Sequence, residues 1–253
     1  MLSERSGAPV LINSGYCPIC TKEVTFVATD PWLRDYYLCS NCGSIPRERA
    51  LMLSIETYFP NWRSLTIHES SPGNRGASRR LLEECSKYVP SQFFLDKKPG
   101  SMVGNFRCEN LEALTFADGS VDLHVTQDVL EHVIHPSKVF SEIARTLKPG
   151  GAHIFTVPIV NKCKPSKLRA RVNDDGHICH LEPPVYHGNP ISDEGSLVTI
   201  DWGFDICRHI FRSCGLFTHI IHTDDLSKGI RAEYIEVLIT VKPEESDMNN
   251  AIP

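Results

Sequence analysis

Four cysteines offer the plainest chemistry in this chain. Cys17-Pro-Ile-Cys20 and Cys39-Ser-Asn-Cys42 form two C-x-x-C pairs, separated by eighteen residues. A two-residue gap lets both thiolates of a turn face one ion, with backbone amides aimed at the sulfurs, and two such knuckles close a tetrahedron around zinc. Ribbon spacing favours this over a pair of metal-free redox motifs, and in a reducing compartment it favours metal over disulfide. Four thiolates leave no open coordination position, so the predicted zinc is structural. Val24, Phe26, Tyr37 and Leu38 read as strand residues of a hairpin between the knuckles. A segment this short cannot build much core, so the metal would supply most of its folding free energy.

A helix must follow the ribbon. Ser44 can cap it, Pro46 suits its first turn, and Leu51, Ile55 and Tyr58 fall on one face. Arg47 and Arg49 stand near its start, where cations oppose the helix dipole. They read either as solvated charges or as contacts to an anion, such as a substrate phosphate or a carboxylate.

From about Ser64 strands and helices alternate. SLTIHE, YVPSQFF, VDLHVT and HIFTV read as strands. NRGASRRLLEECSK and SKVFSEIARTLK read as helices, the second opened by His135-Pro136 and stopped by Pro149-Gly150-Gly151. WGFDICRHIFRSCG is a further helix ended by Gly215, and FTHIIHT and YIEVLITV are a closing antiparallel pair. Alternation of this kind predicts a doubly wound, mostly parallel, Rossmann-like sheet of seven strands, with ligands bound beyond the C-terminal strand ends. Two strand ends stand out: Glu69-Ser-Ser-Pro-Gly73-Asn-Arg-Gly76, where an acidic residue and glycines precede a helix, and Gln127-Asp128-Val-Leu-Glu131-His132.

The stretch Leu111 to Gly151 contains an L-x-F-x-D-x-S-x-D run, a D-V-L-E-H turn and an R-x-L-K-P-G-G helix end. It closely resembles the class I S-adenosylmethionine-dependent methyltransferases, of the methyltransferase type 11 kind. The C-x-x-C-G-S-x-x-R-x-R-A stretch looks like the zinc-ribbon-bearing members of that superfamily. The resemblance implies roles. Glu69 and Gly73 match the first-strand motif beside the methionine end of the cofactor. Ser91 and Gln92 occupy the place of the acidic residue that usually holds the ribose, and Asp96 lies further on. Glu109 and Asn110 match the motif next to the adenine. Gln127, Asp128 and His132 match the motif under the sulfonium, facing the acceptor. Two departures are plain: the usual G-x-G-x-G is Ser71-Pro-Gly73-Asn-Arg75, with Gly76 displaced, and the ribose carboxylate is not obvious.

Residues 158–200 form a long insert after the fifth strand and contain His177, Cys179, His180, Tyr186, His187 and Asp193. Long loops in compact domains are usually functional or disordered, and imidazoles and aromatics amid prolines argue for a lid and acceptor pocket. His177-Ile-Cys179-His180 reads as packing or hydrogen-bonding groups rather than a second metal site. An activated methyl needs mainly an aligned nucleophile, with a base where that nucleophile carries a proton. His180, His187 and His132 are the candidate bases, and Tyr186 could orient the acceptor. His180, Tyr186 and His187 are expected to share one pocket, with Arg47 or Arg49 nearby.

The chain has 253 residues, a formal net charge of -5, 41% hydrophobic and 23% charged residues. This suits one α/β domain with an appendage. The expected division is ribbon and connecting helix over 1–60, methyltransferase domain over 61–242 and polar tail over 243–253. The acidic balance argues against nucleic acid as a partner and for a small-molecule acceptor such as a sugar, glycan precursor or secondary metabolite. No apolar run approaches the length that spans a bilayer, and the polar start gives a cytoplasmic expectation. Two alternatives stay open: a non-catalytic binding or scaffold protein with a degenerate cofactor site, and an RNA methyltransferase.

Overall fold

The structure, a computed structural model, describes residues 8–189 and 192–244. Strands β1 (Leu11–Cys17), β2 (Lys22–Ala28) and β3 (Tyr37–Cys39) form a three-stranded antiparallel ribbon, with the four-residue helix α1 (Leu33–Tyr36) between β2 and β3. Helix α2 (Pro46–Tyr58) follows. Pro46 takes its first turn as expected, but Ser44 is not the cap. The N-cap is Ile45, whose N–H donates to the Glu48 carboxylate at 3.0 Å. The Ser44 hydroxyl instead lies 3.2 Å from the Cys42 sulfur and 3.6 Å from that of Cys17. Leu51 and Ile55 are buried and Tyr58 is exposed.

The main sheet takes in β4 (Ile67–Ser70), then after α3 (Gly76–Glu84) β5 (Tyr88–Gln92), β6 (Met102–Val103), β7 (Phe106–Cys108) and β8 (Val121–Gln127). Helix α4 (Pro136–Thr146) leads into β9 (Leu147–Thr156). The insert holds β10 (Lys167–Leu168), β11 (Ala170–Val172), β12 (Ile178–His180), β13 (Tyr186–Asn189), β14 (Ser192–Leu197) and β15 (Ile200–Asp201). Helix α5 (Ile206–Cys214), β16 (Thr218–Ile221) and β17 (Val237–Val241) complete the described elements. The sheet order is β16-β17-β9-β8-β4-β5-β7-β6. Neighbours among β4, β5, β7, β8 and β9 pair in parallel, and β17 and β16 close one edge antiparallel. This is the doubly wound arrangement expected, with one addition. The two-residue β6 folds back on β7 as an eighth, antiparallel strand. Helix α4 also ends earlier than predicted, because Leu147 to Gly151 already runs as strand. Gly151 is required there, since a Cβ would stand 2.8 Å from the Asp122 carbonyl oxygen. Gly215 ends α5 in the left-handed conformation with φ 74°, as a C-terminal glycine should.

Period-two alternation sends β8 and β9 side chains to two cores. Leu123, Val125 and Ile154 face the ribbon, α2 and α3, while Phe155 faces α4 and α5. The second face also carries an unusual polar seam. His68, His124 and His153 are fully buried in the sheet. The first two join at 2.8 Å through their Nδ1 atoms and reach Ser91 and Thr146 at 2.8 Å each; His153 meets Thr126 at 3.0 Å. Burial holds His68 and His153 at about 3 and His124 well below its usual value, so all three rings are neutral in the folded protein.

The ribbon and α2 pack onto the sheet through a shared core. Cys17, Phe26, Ala28 and Tyr37 of the ribbon share one hydrophobic cluster with Leu51 and Ile55 of α2 and with Ile67, Val125 and Val237 of the sheet. Arg49 fastens the joint. It is fully buried, donates to the carbonyls of Tyr37 at 2.8 Å, of Gly229 at 2.6 and 2.9 Å, and of Ser44, and its guanidinium lies 4.8 Å from the Phe26 ring centre. The expected contact between Arg49 and an anionic ligand is therefore corrected: the buried guanidinium is engaged by backbone carbonyls and the Ser44 hydroxyl. Gly229 permits the approach, because a Cβ there would meet the Phe26 ring at 2.5 Å.

Candidate active site

The C-terminal ends of the parallel strands open into a cleft of about 1040 Å³. Its floor comes from Ser70, Ser71 and Gly73 at the end of β4, Gln92 and Phe93 at the end of β5, Glu109 and Asn110 just after β7, and Gln127 and Asp128 at the end of β8. Ser71, Asp128 and Tyr234, all lining the cleft, hold positive φ of 54°, 52° and 55°. Non-glycine residues in that region carry strain that the surroundings must over-determine, and such residues cluster at functional sites.

Two of the expected cofactor residues sit behind the floor rather than in it. Glu69 is fully buried and accepts from the hydroxyls of Ser78 (2.6 Å) and Tyr88 (2.7 Å) and from the Gln127 amide (2.8 Å). Burial pushes its carboxyl above the usual range and these three donors pull against it. Ser78 also accepts from the Gly73 N–H at 3.2 Å, so Glu69 sets the turn from below. Ser91 is likewise buried, bound to His68. Gly73 itself faces open space: a Cβ there would meet no protein atom within 4 Å. The displaced Gly76 has a different reason. Its φ is 60°, and a Cβ would stand 2.3 Å from the Glu48 carboxyl carbon. Glu109 lines the cleft but is held by the Arg107 guanidinium and by the Thr115 N–H at 2.9 Å.

The ribbon supplies one wall. Arg34 of α1 and Arg47 of α2 converge on Asp128, Arg34 donating to Oδ2 and Arg47 Nε lying 3.1 Å from the same oxygen. Burial would raise the Asp128 carboxyl, but Arg47 and Arg34 outweigh it and hold the group below its usual range. The Thr156 hydroxyl donates to Oδ1 at 3.0 Å. Arg34, Trp32 and Tyr234 reach the cleft without any sequence motif to mark them. Arg47 was expected there and is there.

The insert supplies further lining through Val172, Ile178, His187, Gly188, Ser196, Leu197 and Thr199. His132 and His187 meet edge to face with ring centres 5.1 Å apart. Both approach Glu131 Oε1, at 3.7 and 3.6 Å. The Glu131 carboxylate, with the ionic field of Asp128 behind it, raises the His187 imidazolium above its usual range against burial. Glu131 lay inside the D-V-L-E-H turn but was assigned no role.

His180 and Tyr186 do not join His187 in the cleft lining, which corrects the expected single pocket. Tyr186 and His187 are successive residues of β13 and so point to opposite faces; Tyr186 is half-exposed. His180 pairs with Ala170 at the end of the β11–β12 hairpin and is exposed. The side chain of Asp193 lies outside the described residues, as does most of the tail.

The four ribbon sulfurs lie within 4.8 Å of one another, with Cys17–Cys42 and Cys20–Cys39 both at 3.8 Å. No described helix is long and apolar enough to cross a membrane.

Part of the chain is similar to known methyltransferases. Residues 78–155 match the family described as Methyltransferase domain. A dimethylglycine N-methyltransferase of Parasynechococcus marenigrum (strain WH8102) is 35% identical over 75 residues, 30% of this chain and 27% of that protein. A methyltransferase described as uncharacterized, from Mycolicibacterium gilvum (strain PYR-GCK), is 37% identical over 59 residues, 23% of each chain. The match thus spans about a quarter of each curated relative. The solved structure of an S-adenosylmethionine dependent methyltransferase from Mesorhizobium loti is similar at 15% identity and TM-score 0.49, covering 76% of this chain and 97% of that one. The cleft therefore belongs to a chain that carries methyltransferase-domain sequence on a Rossmann-like sheet.

Proposed function

We propose that this protein moves a methyl group from S-adenosylmethionine to a small-molecule acceptor held between the ribbon and the insert. The observation behind this is the convergence of the strand ends of β4, β5, β7 and β8 on one cleft, with β5, β7 and β8 inside the segment that matches the methyltransferase domain and β4 just ahead of it. The residues present fit the cofactor at the point where fit is most demanding. The Gly73 cradle is open on the protein side, so the space a side chain would take is free for the methionine end. Gln92 stands where the ribose would be and can bond hydroxyls as an amide in place of the usual carboxylate. Asn110 and Glu109 flank the adenine position.

When bound, the cofactor supplies an already activated methyl. The chain's part is to align the acceptor, exclude water and manage a proton. Asp128 and its two arginines form a fixed polar group that would lie near the sulfonium, and His132 and His187, which line the same cleft, would orient the acceptor and take up its proton. In the ribbon, a tetrahedron with metal–sulfur bonds of about 2.3 Å has edges of about 3.8 Å, which matches the two short sulfur separations and supports structural zinc at Cys17, Cys20, Cys39 and Cys42.

Calorimetric titration with S-adenosylmethionine tests the reading, with elemental analysis for zinc. Saturable one-to-one binding and one ribbon zinc are expected. No binding at millimolar cofactor would overturn the enzyme reading in favour of a non-catalytic scaffold.

A further inference from the structure

We infer that Glu131, His132 and His187 form a second metal site, a three-ligand site for a divalent transition ion on the acceptor wall. This goes beyond methyl transfer and does not depend on the cofactor. The first observation is the cluster itself: one oxygen and two ring nitrogens lie within 4.8 Å of one another. The second is independent. Glu131 has 3% of its side chain exposed, and neither carboxylate oxygen has a hydrogen-bond partner among the described residues. A buried carboxylate without donors is costly, and native structures resolve the cost by pairing or by coordinating metal. The two histidine nitrogens, at 3.6 and 3.7 Å, are too far for hydrogen bonds. They are close to the edge of about 3.4 Å that a tetrahedron of roughly 2.1 Å metal–ligand bonds would have.

The ring of His132 is already oriented for the task. Its Nδ1 meets the Leu197 carbonyl at 2.9 Å, a contact that needs the proton on Nδ1 and leaves the Nε2 lone pair toward Glu131. His187 comes from the insert strand β13 and is 44% exposed at its side chain, so its ring has room to close on an ion. Two imidazoles and one carboxylate leave one position open, and His132 and His187 both line the cleft. Zinc or ferrous iron suits such a donor set. An ion there would bind an oxygen of a hydroxyl- or carboxylate-bearing acceptor and fix the insert to the sheet.

The test uses the full chain with one zinc per ribbon already loaded. Further zinc is titrated calorimetrically, and metal content is measured after desalting. Two zinc ions per chain are expected in the wild type and one in His187→Ala and in Glu131→Gln, with the ribbon ion kept. His187→Ala decides the matter if Glu131→Gln folds poorly, since His187 is largely at the surface. Wild-type protein that stops at one zinc, or His187→Ala that still takes two, would overturn the site and leave an ordinary ion pair between Glu131 and His187. S-adenosylmethionine binding is recorded in the same samples, so failure of the metal site is distinguishable from failure of the methyltransferase reading.

Discussion

The ribbon and the insert both line the same cleft and are fastened in different ways. The ribbon is sewn into the sheet's own core through Phe26, Ala28 and Tyr37, through Arg49 on three backbone carbonyl groups, and through Arg80, which binds the Pro18 carbonyl and Glu56. The insert is three two-stranded ribbons with exposed Ile178 and Tyr186. It is anchored mainly at its base, where Thr199 donates to the Glu131 carbonyl at 2.7 Å and Trp202 to that of Leu130 at 3.1 Å. Few buried apolar contacts mean low local stability. The ribbon therefore offers Arg34 and Arg47 preorganised on Asp128.

The largest expected effect breaks the ribbon side. Arg49→Met removes the donor to the buried carbonyls of Tyr37 and Gly229, each costing about 1–3 kcal/mol, so the domain should lose about 2 kcal/mol or more in urea unfolding at unchanged m. A loss below about 1 kcal/mol would show that the joint is not held this way. Stripping the proposed ribbon zinc with a chelator should lower the midpoint of the whole domain in one transition, because the core is shared. A separate ribbon transition, with the sheet unaffected, would favour the division at residue 60.

The next effect belongs to the sheet beneath the cleft. In the unfolded chain a histidine takes up its proton near pH 6.5, whereas His68 and His153 do so only at about 3 when folded. The unfolded state thus binds more protons between these values. Stability is full above pH 6.5 and falls on acidification, by at most about 1.4 kcal/mol per pH unit for each ring. Urea midpoints at pH 7 and pH 5 should differ, and His153→Gln should flatten the dependence. An unchanged slope would mean the rings are not the source.

Smaller effects sharpen the insert side. His187→Ala should lower turnover at least tenfold while leaving cofactor affinity within about threefold. His180→Ala and Tyr186→Phe should change turnover less than about twofold, since neither side chain lines the cleft. Equal losses in all three would show that the hairpins close over the cleft in a form different from the one described.

The strands, the doubly wound order and the cysteine tetrad were legible because their signals are local: periodicity, Gly215 at a helix end, fixed C-x-x-C spacing. Asp128 and His132 were legible through a run of motifs in order. Arg34, Trp32 and Tyr234 were not, because they enter the cleft only through tertiary packing of the ribbon and the loop before β17. Arg47 and Arg49 look alike in sequence, yet two positions along a helix turn one toward the cleft and the other into the core. His180, Tyr186 and His187 were grouped by type, and strand alternation separated the last two.

The central claim is that the strand-end cleft holds S-adenosylmethionine against Gly73. Calorimetric titration of the wild type and of Gly73→Val tests it most directly. The valine meets no protein atom at its Cβ, so the variant should fold with wild-type stability and lose cofactor binding by at least a hundredfold. Binding retained within a few-fold by a folded Gly73→Val protein would contradict the account.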